Sequence, residues 1–430
     1  MIHRPSRRDI VKTTAGLPAI GALGLRYATN ARAQASIRPE PKTFSQIDAT
    51  FRAATSAAEV PGIVALAATD RGILYEGIFG KRRLGDGPAM TRDTVFRAAS
   101  MVKVITSVAA LQLVEQNKLS LDAPVPDIDP AIGSPQVLDG FDAKGLPQLR
   151  PAQRPITLRH LLTHTSGFAY RLWDAKAVRY AKSLELLPKT QRKSAPPTPL
   201  MFDPGTHWQY GTSIDWVGRI VEAISGEALD VYFRQHILDP LGMNDTAFVL
   251  KPQQREREAS VHRRGPNGAL TAEPLEQSSP RQTYSGGGGI YSTAPDYLTL
   301  IRALLAGGAL DGVRILRPET VALMGQNQIG EIDVGVLKTT VPALSNDVDL
   351  CPGVIRKWGF GHMITMQALA GGRGAGSLTW GGLLNTYYWI DPGRKIAAVF
   401  MTQVLPFADS RALRLYRQFE HGIYAALKEG

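Results

Sequence analysis

The β-prone segments of this chain lie at its two ends, and that placement limits the folds open to it. GIVALAATDRGILYEGIFG, residues 62–80, consists of two apolar runs around Asp70-Arg71-Gly72, the pattern of a hairpin. Far downstream come WGFGHMITM (358–366), GSLTWGGLLN (376–385) and TYYWIDPGRKIAAVFMTQV (386–404). The last of these turns over Asp391-Pro392-Gly393-Arg394. Between the two groups the apolar spacing is helical, at 102–117, 157–162, 213–225, 228–238 and from 294 onward. Further helices read at 43–57, through Phe44, Ile47 and Phe51, and at 411–427. Strands from both ends with helices between them point to one sheet assembled from both termini, carrying a helical insertion. The expected division is 36–100 with 285–430 as an α/β domain, and 101–284 as a mainly helical domain. Residues 122–155 and 330–356 read as loop, and the polar, Pro-rich stretch 170–205 as a surface excursion.

The first 35 residues read differently from the rest. Ser6-Arg7-Arg8-Asp9-Ile10-Val11-Lys12 precedes a weakly apolar stretch and then Ala31-Arg32-Ala33. A twin arginine, a mild hydrophobic segment and a small-x-small site read as a twin-arginine export signal, cut after Ala33 or Ala35. A periplasmic or secreted location is the expectation. The formal net charge of +11 includes Arg4, Arg7, Arg8, Lys12, Arg26 and Arg32 against Asp9, so the chain without this segment carries +6. So mild and scattered a balance gives no reason to expect nucleic acid. Beyond the signal, no apolar run is long enough to span a bilayer, and no stable membrane anchor is expected. With a single cysteine, Cys351, neither a disulfide framework nor a Cys-based metal site is available.

Several catalytic machineries have no counterpart in the sequence: G-x-S-x-G, H-E-x-x-H, a Walker loop, and G-x-G-x-x-G after a strand. The eight histidines lack metal-ligand spacing. His160 and His164 are four apart, but they lack a third ligand and read as structural groups bonding backbone near a turn. No metal and no cofactor are expected. What remains is Ser100-Met101-Val102-Lys103 at the head of an apolar helix. Residues i and i+3 share a helix side, so hydroxyl and amine can meet. A serine there also caps helices, and that reading stands beside the chemical one. As chemistry the pair is sound: a serine needs a neighbouring base, and a lysine shielded from water can serve. Backbone N–H groups at the helix start can hold a developing oxyanion.

Two further stretches bear on that pair. PGTHWQYGTS places Tyr210 after a turn and before a helix, where a phenol can share a proton with Lys103 and Ser100. Thr379-Trp380-Gly381-Gly382-Leu383 puts two glycines in a strand, which lets a ligand or another backbone come close. Ser-x-x-Lys, P-G-x-x-W-x-Y and W-G-G in that order resemble the serine β-lactamase-like family of penicillin-binding proteins, class C β-lactamases and family VIII carboxylesterases. ITLRHLLTHTSGF and YSGGGGIYST look like its recurring landmarks.

The resemblance covers nearly all of 44–425. It implies a β-lactamase-like α/β sandwich with an antiparallel sheet and an inserted helical domain, with the site in the groove between them. It implies Ser100 as nucleophile, Lys103 as its base, Tyr210 as proton relay, and the Ser100 and Leu383 amides as oxyanion hole. Trp380, Gly381, Gly382 and Thr212 would contact substrate. Trp380 stands where the lactamases and peptidases usually have the lysine of K-T-G, and Thr212 where they usually have the asparagine of Y-x-N. Both changes remove contacts to β-lactam or peptide substrates and favour neutral, apolar groups, as in the family VIII esterases. The expected partner is thus a small-molecule ester, cleaved through a Ser100 acyl-enzyme. The alternatives are β-lactam, peptide or oligoamide hydrolysis, acyl transfer on the same fold, or a non-catalytic binder.

Overall fold

The computed structural model describes residues 44–187, 198–275 and 279–427. The export signal read at 1–35 lies outside them. The main sheet has seven strands: β1 Gly62–Thr69, β2 Gly72–Gly80, β3 Arg356–Trp358, β4 Met363–Thr365, β5 Ser377–Gly382, β6 Thr386–Asp391 and β7 Ile396–Met401. Their spatial order is β3-β4-β5-β6-β7-β1-β2, every neighbour antiparallel. The two ends of the chain meet where β1 pairs β7, with Val64 opposite Met401 and Thr69 opposite Ile396. β5, β6 and β7 are buried along their whole length, and β1 in all but Thr69. Burial on both faces explains why these strands read as continuous apolar runs rather than alternating ones.

The alternation of side chains along β6 shows what covers each face. Tyr387 and Trp389 meet Tyr416 on helix α5, Ser410–Ala426, with ring centroids 4.8 and 5.7 Å apart. Helix α1, Ser45–Ser56, lies on the same face and brings Phe51 within 5.8 Å of Phe400. Tyr388 points the other way, 5.4 Å from Tyr297 on helix α4, Ala294–Leu305. On that side helix α2, Val102–Glu115, packs against helix α3, Ser213–Ser225. Eleven of the fourteen residues of α2 are buried, so it is a central helix with almost no solvent face. The described residues form one compact unit, and one continuous apolar cluster runs through both layers.

Two stretches differ from their sequence reading. Within the expected loop 122–155, Gln136–Phe141 and Pro147–Pro151 form an antiparallel hairpin. Its composition is poor in β-formers; backbone pairing, with Leu138 also bonded to Leu200, holds it. The excursion 170–205 is not purely surface: Trp173 and Tyr180 are buried, and Ala175–Ser183 is a helix capped by Asp174.

Candidate active site

A short ribbon delivers the nucleophile. Phe96–Ala99 pairs antiparallel with Ile290–Ser292, with a bulge between Arg97 and Ala99. Ala99 then adopts φ +46°, a left-handed conformation that L-residues rarely take. This turn leaves Ser100 half-exposed on the wall of a cavity of about 720 Å³, while Met101 and Val102 bury. Strain of this kind at a single exposed serine is a recurrent feature of functional sites.

Lys103, the second residue of α2 and only 1% exposed, brings Nζ to 3.1 Å from Ser100 Oγ. The helix start thus does what its i, i+3 spacing allowed, and no side-chain cap is formed there. Nζ also donates to the carbonyl of Gly287 at 2.5 Å and to the Tyr170 hydroxyl at 3.4 Å. It lies 4.7 Å from the ring centre of Tyr210 and 5.3 Å from that of Tyr170. The amine therefore sits in a box of two phenols, one hydroxyl and one carbonyl.

Tyr210, the tyrosine the sequence singled out, is buried beside this amine, and its hydroxyl accepts from Trp380 Nε1 at 3.1 Å. Trp380 is 3% exposed and packs against Trp358 with centroids 4.7 Å apart. It lines the cavity, and its buried indole also holds Tyr210. Gly381 and Leu383 line the cavity; Gly382 and Thr212 do not. A Cβ on Gly382 would stand 2.3 Å from the Ala98 carbonyl, so this glycine lets β5 press against the segment leading to Ser100. Thr212 is the residue immediately before α3. Among the described residues, no backbone carbonyl accepts from the amides of Ser100 or Leu383. Both residues line the cavity.

Three contributors were not legible in the sequence. Tyr170 donates to Asp215 Oδ2 at 3.0 Å, and Ser285 donates to the other carboxylate oxygen. Burial, followed by the charge of Asp215, holds Tyr170 well above the usual tyrosine range, so it stays protonated and offers Lys103 a neutral oxygen. The YSGGGG run, noted in the sequence only as a landmark of the resembled family, supplies the Gly287 carbonyl. A Cβ on Gly287 would meet Asp215 Oδ2 at 2.5 Å and the Tyr170 oxygen at 2.9 Å. Its glycine content was the available signal, since such runs mark close backbone approach.

The two paired histidines have backbone duties. His160 Nδ1 accepts from Thr157 N at the start of a short helix, and His164 Nδ1 accepts from Gly211 N at 3.4 Å. Burial, then the nearby Lys103 charge, keeps His164 well below the usual histidine range, hence neutral. Beyond the polar core the cavity walls carry aromatic side chains, including Trp173, Phe248, Tyr284 and Phe407, together with the charged Arg97, Arg171, Arg263, Arg281 and Glu273.

Comparison with known proteins agrees with this geometry. The beta-lactamase family model matches residues 47–423. The chain is 32% identical to the ML-236A carboxylate methylbutanoyltransferase of Penicillium citrinum, over 90% of this chain and 95% of that protein. It is 33% identical to a lovastatin esterase of Penicillium rubens, over 88% and 98% respectively. A variant of the simvastatin synthase of Aspergillus terreus superimposes with a TM-score of 0.80 at 31% identity, covering 90% of this chain and all of that one. By the extent of these matches and the fold they share, the chain belongs to the beta-lactamase family.

Proposed function

We propose that this protein breaks carboxylic ester bonds through an acyl-enzyme on Ser100, and that the acyl group then passes to water or to an alcohol seated in the cavity. The observation that carries this reading is the 3.1 Å contact between Lys103 Nζ and Ser100 Oγ at the cavity wall. In the reactive form the contact runs from hydroxyl to neutral amine, and Lys103 takes the proton as Oγ bonds to the ester carbon. The Ser100 and Leu383 amides receive the charge that develops on the carbonyl oxygen. Tyr210 gives its proton to the departing alkoxide and recovers one from the water or alcohol that attacks next, while Lys103 returns its proton to Ser100 Oγ as the acyl–oxygen bond breaks. Tyr170 and Asp215 keep the lysine in register from the other side.

Hydrolysis is the first reading, because the groups named suffice for it. Transfer to an alcohol is the second. It is favoured by the similarity to a methylbutanoyltransferase and by a cavity large enough for an acceptor beside the acyl group. Trp380 and Thr212, in place of a lysine and an asparagine, weigh against β-lactam and peptide substrates.

The test is turnover of p-nitrophenyl butyrate and of nitrocefin by the wild-type protein and by Ser100→Ala. A second series adds a cyclic alcohol and quantifies free acid against new ester. Ester turnover that vanishes in Ser100→Ala, with little nitrocefin cleavage, supports the proposal. Dominant nitrocefin turnover refutes the ester preference. The acid-to-ester ratio decides between the two fates of the acyl group.

A further inference from the structure

Tyr210 has no helix or strand of its own to hold it. Residues 201–212 form turns and irregular backbone, and α3 begins only at Ser213. The support comes from a second irregular stretch, 163–170, and its pivot is His164. This residue follows the short helix Leu158–Leu162 and takes φ +58°, a left-handed conformation in which histidine is commoner than most side chains. Turned this way, His164 makes a hydrogen bond on each side of the tyrosine. Its carbonyl accepts from Gln209 N at 3.0 Å, and its Nδ1 accepts from Gly211 N at 3.4 Å. Its ring lies against the phenol ring, with centroids 4.8 Å apart. Two residues on, Ser166 Oγ bonds Ser213 Oγ at 2.9 Å and ties down the start of α3. Gly211 leaves the chain no other path, since a Cβ there would stand 2.0 Å from the Phe168 carbonyl oxygen.

A backbone N–H can only donate, so Nδ1 is the bare nitrogen of the ring and the proton sits on Nε2. Burial, then the Lys103 charge, keeps the ring neutral, which preserves that acceptor. Nε2 is buried and has no hydrogen-bond partner among the described residues. An apolar side chain of similar shape would avoid that penalty, so stability alone does not favour a histidine here. Choices that go against local stability concentrate at functional sites.

We propose that His164 is a positioning residue for the reaction: by bonding the chain on both sides of Tyr210 and packing on its ring, it fixes the phenol hydroxyl against Trp380 Nε1 and beside the Lys103 amine. This rests on the relay role given to Tyr210. His164 does not line the cavity, so it acts through the tyrosine and not on the substrate.

Single-turnover and steady-state kinetics on p-nitrophenyl butyrate, in the wild-type and Tyr210→Phe backgrounds, test this. His164→Asn tolerates the positive φ and offers Oδ1 where Nδ1 stood. His164→Leu matches asparagine in shape without the acceptor. His164→Gly also lacks it, takes the positive φ freely, and reads out if the leucine variant fails to fold. The asparagine variant should keep kcat within about fivefold, while leucine and glycine lower it about 10- to 100-fold with KM nearly unchanged, the scale of a displacement near 1 Å. In Tyr210→Phe the same substitutions should cost no more than about twofold further, because the hydroxyl they misplace is gone. Equal losses in the two backgrounds would show a merely structural role, and an asparagine variant as poor as the other two would show that Nδ1 positions nothing; either overturns the proposal. A Tyr210→Phe protein with wild-type kcat overturns the relay itself, and the role of His164 falls with it.

Discussion

Replacing Trp380 with phenylalanine isolates one hydrogen bond at the centre of the site. The indole N–H of Trp380 donates to Tyr210 at 3.1 Å, the one hydrogen bond that hydroxyl makes among the described residues. Phenylalanine keeps an aromatic ring against Trp358 and Tyr210 but removes the donor. Both partners are almost fully buried, so water does not readily replace the lost contact. In the resting protein a neutral bond of this kind is worth roughly 0.5–1.5 kcal/mol. In the step where Tyr210 has given up its proton, the same bond goes to an anion and is worth roughly 1.5–3 kcal/mol. Only what is gained in the transition state changes the rate. That gain, about 1–1.5 kcal/mol between the two ranges, lowers kcat/KM by about 5- to 13-fold when it is lost, at 1.36 kcal/mol per decade. Hydrolysis of p-nitrophenyl butyrate gives that ratio, and a thermal melt confirms the folded state. Unchanged kcat/KM in a folded Trp380→Phe protein would show that Tyr210 does not carry charge, and the relay would have to be reassigned.

The two phenols beside Lys103 should separate: Tyr210→Phe is expected to lose about 10²- to 10⁴-fold in kcat, the range of a general acid–base group. Tyr170→Phe should lose about tenfold, as expected for a neutral oxygen that only positions the amine; single-turnover kinetics on both variants checks the order, and a larger loss in Tyr170→Phe reverses it. Gly382→Ala would drive a methyl into the Ala98 carbonyl, so about 1–3 kcal/mol of stability and most activity should go together, measured by urea midpoint and turnover. Stability should also fall with acid. Burial holds His362 at about 3 and His164 well below 6.5 in the folded chain, while both take protons near 6.5 once unfolded. Below pH 6.5 the unfolded state therefore binds more protons, and stability present above that pH is lost as it falls toward the folded values. Each histidine contributes at most about 1.4 kcal/mol per pH unit. Urea midpoints at pH 7 and 5 should differ less in His362→Phe than in the wild type; an equal difference contradicts the assignment.

The sheet was legible because β5, β6 and β7 are buried on both faces, so their sequence is apolar without interruption and their turn chemistry at 391–394 is plain. The Ser100, Lys103 and Trp380 positions were legible because a helix start and a strand end place them through local geometry. Tyr170, Asp215 and Gly287 were not, since nothing local joins them. Tyr170 reaches Lys103 from a loop 67 residues away, and Gly287 from one 184 residues away. The hydrogen bond from Trp380 to Tyr210 spans 170 residues and gives a tryptophan that lines the cavity a second duty, the support of a phenol. Gly382 and Thr212 show the converse: each lies within a motif, but one serves backbone packing and the other begins a helix.

The most direct test of the Ser100 acyl-enzyme is to quench a reaction with p-nitrophenyl butyrate by acid in its first turnovers and map the covalent adduct by peptide mass spectrometry. A single butyryl group is expected on the peptide containing Ser100, absent from Ser100→Ala, and lingering longer in Tyr210→Phe. An active protein that shows no adduct on that peptide, or a Ser100→Ala variant that still turns over the ester, would contradict the central claim.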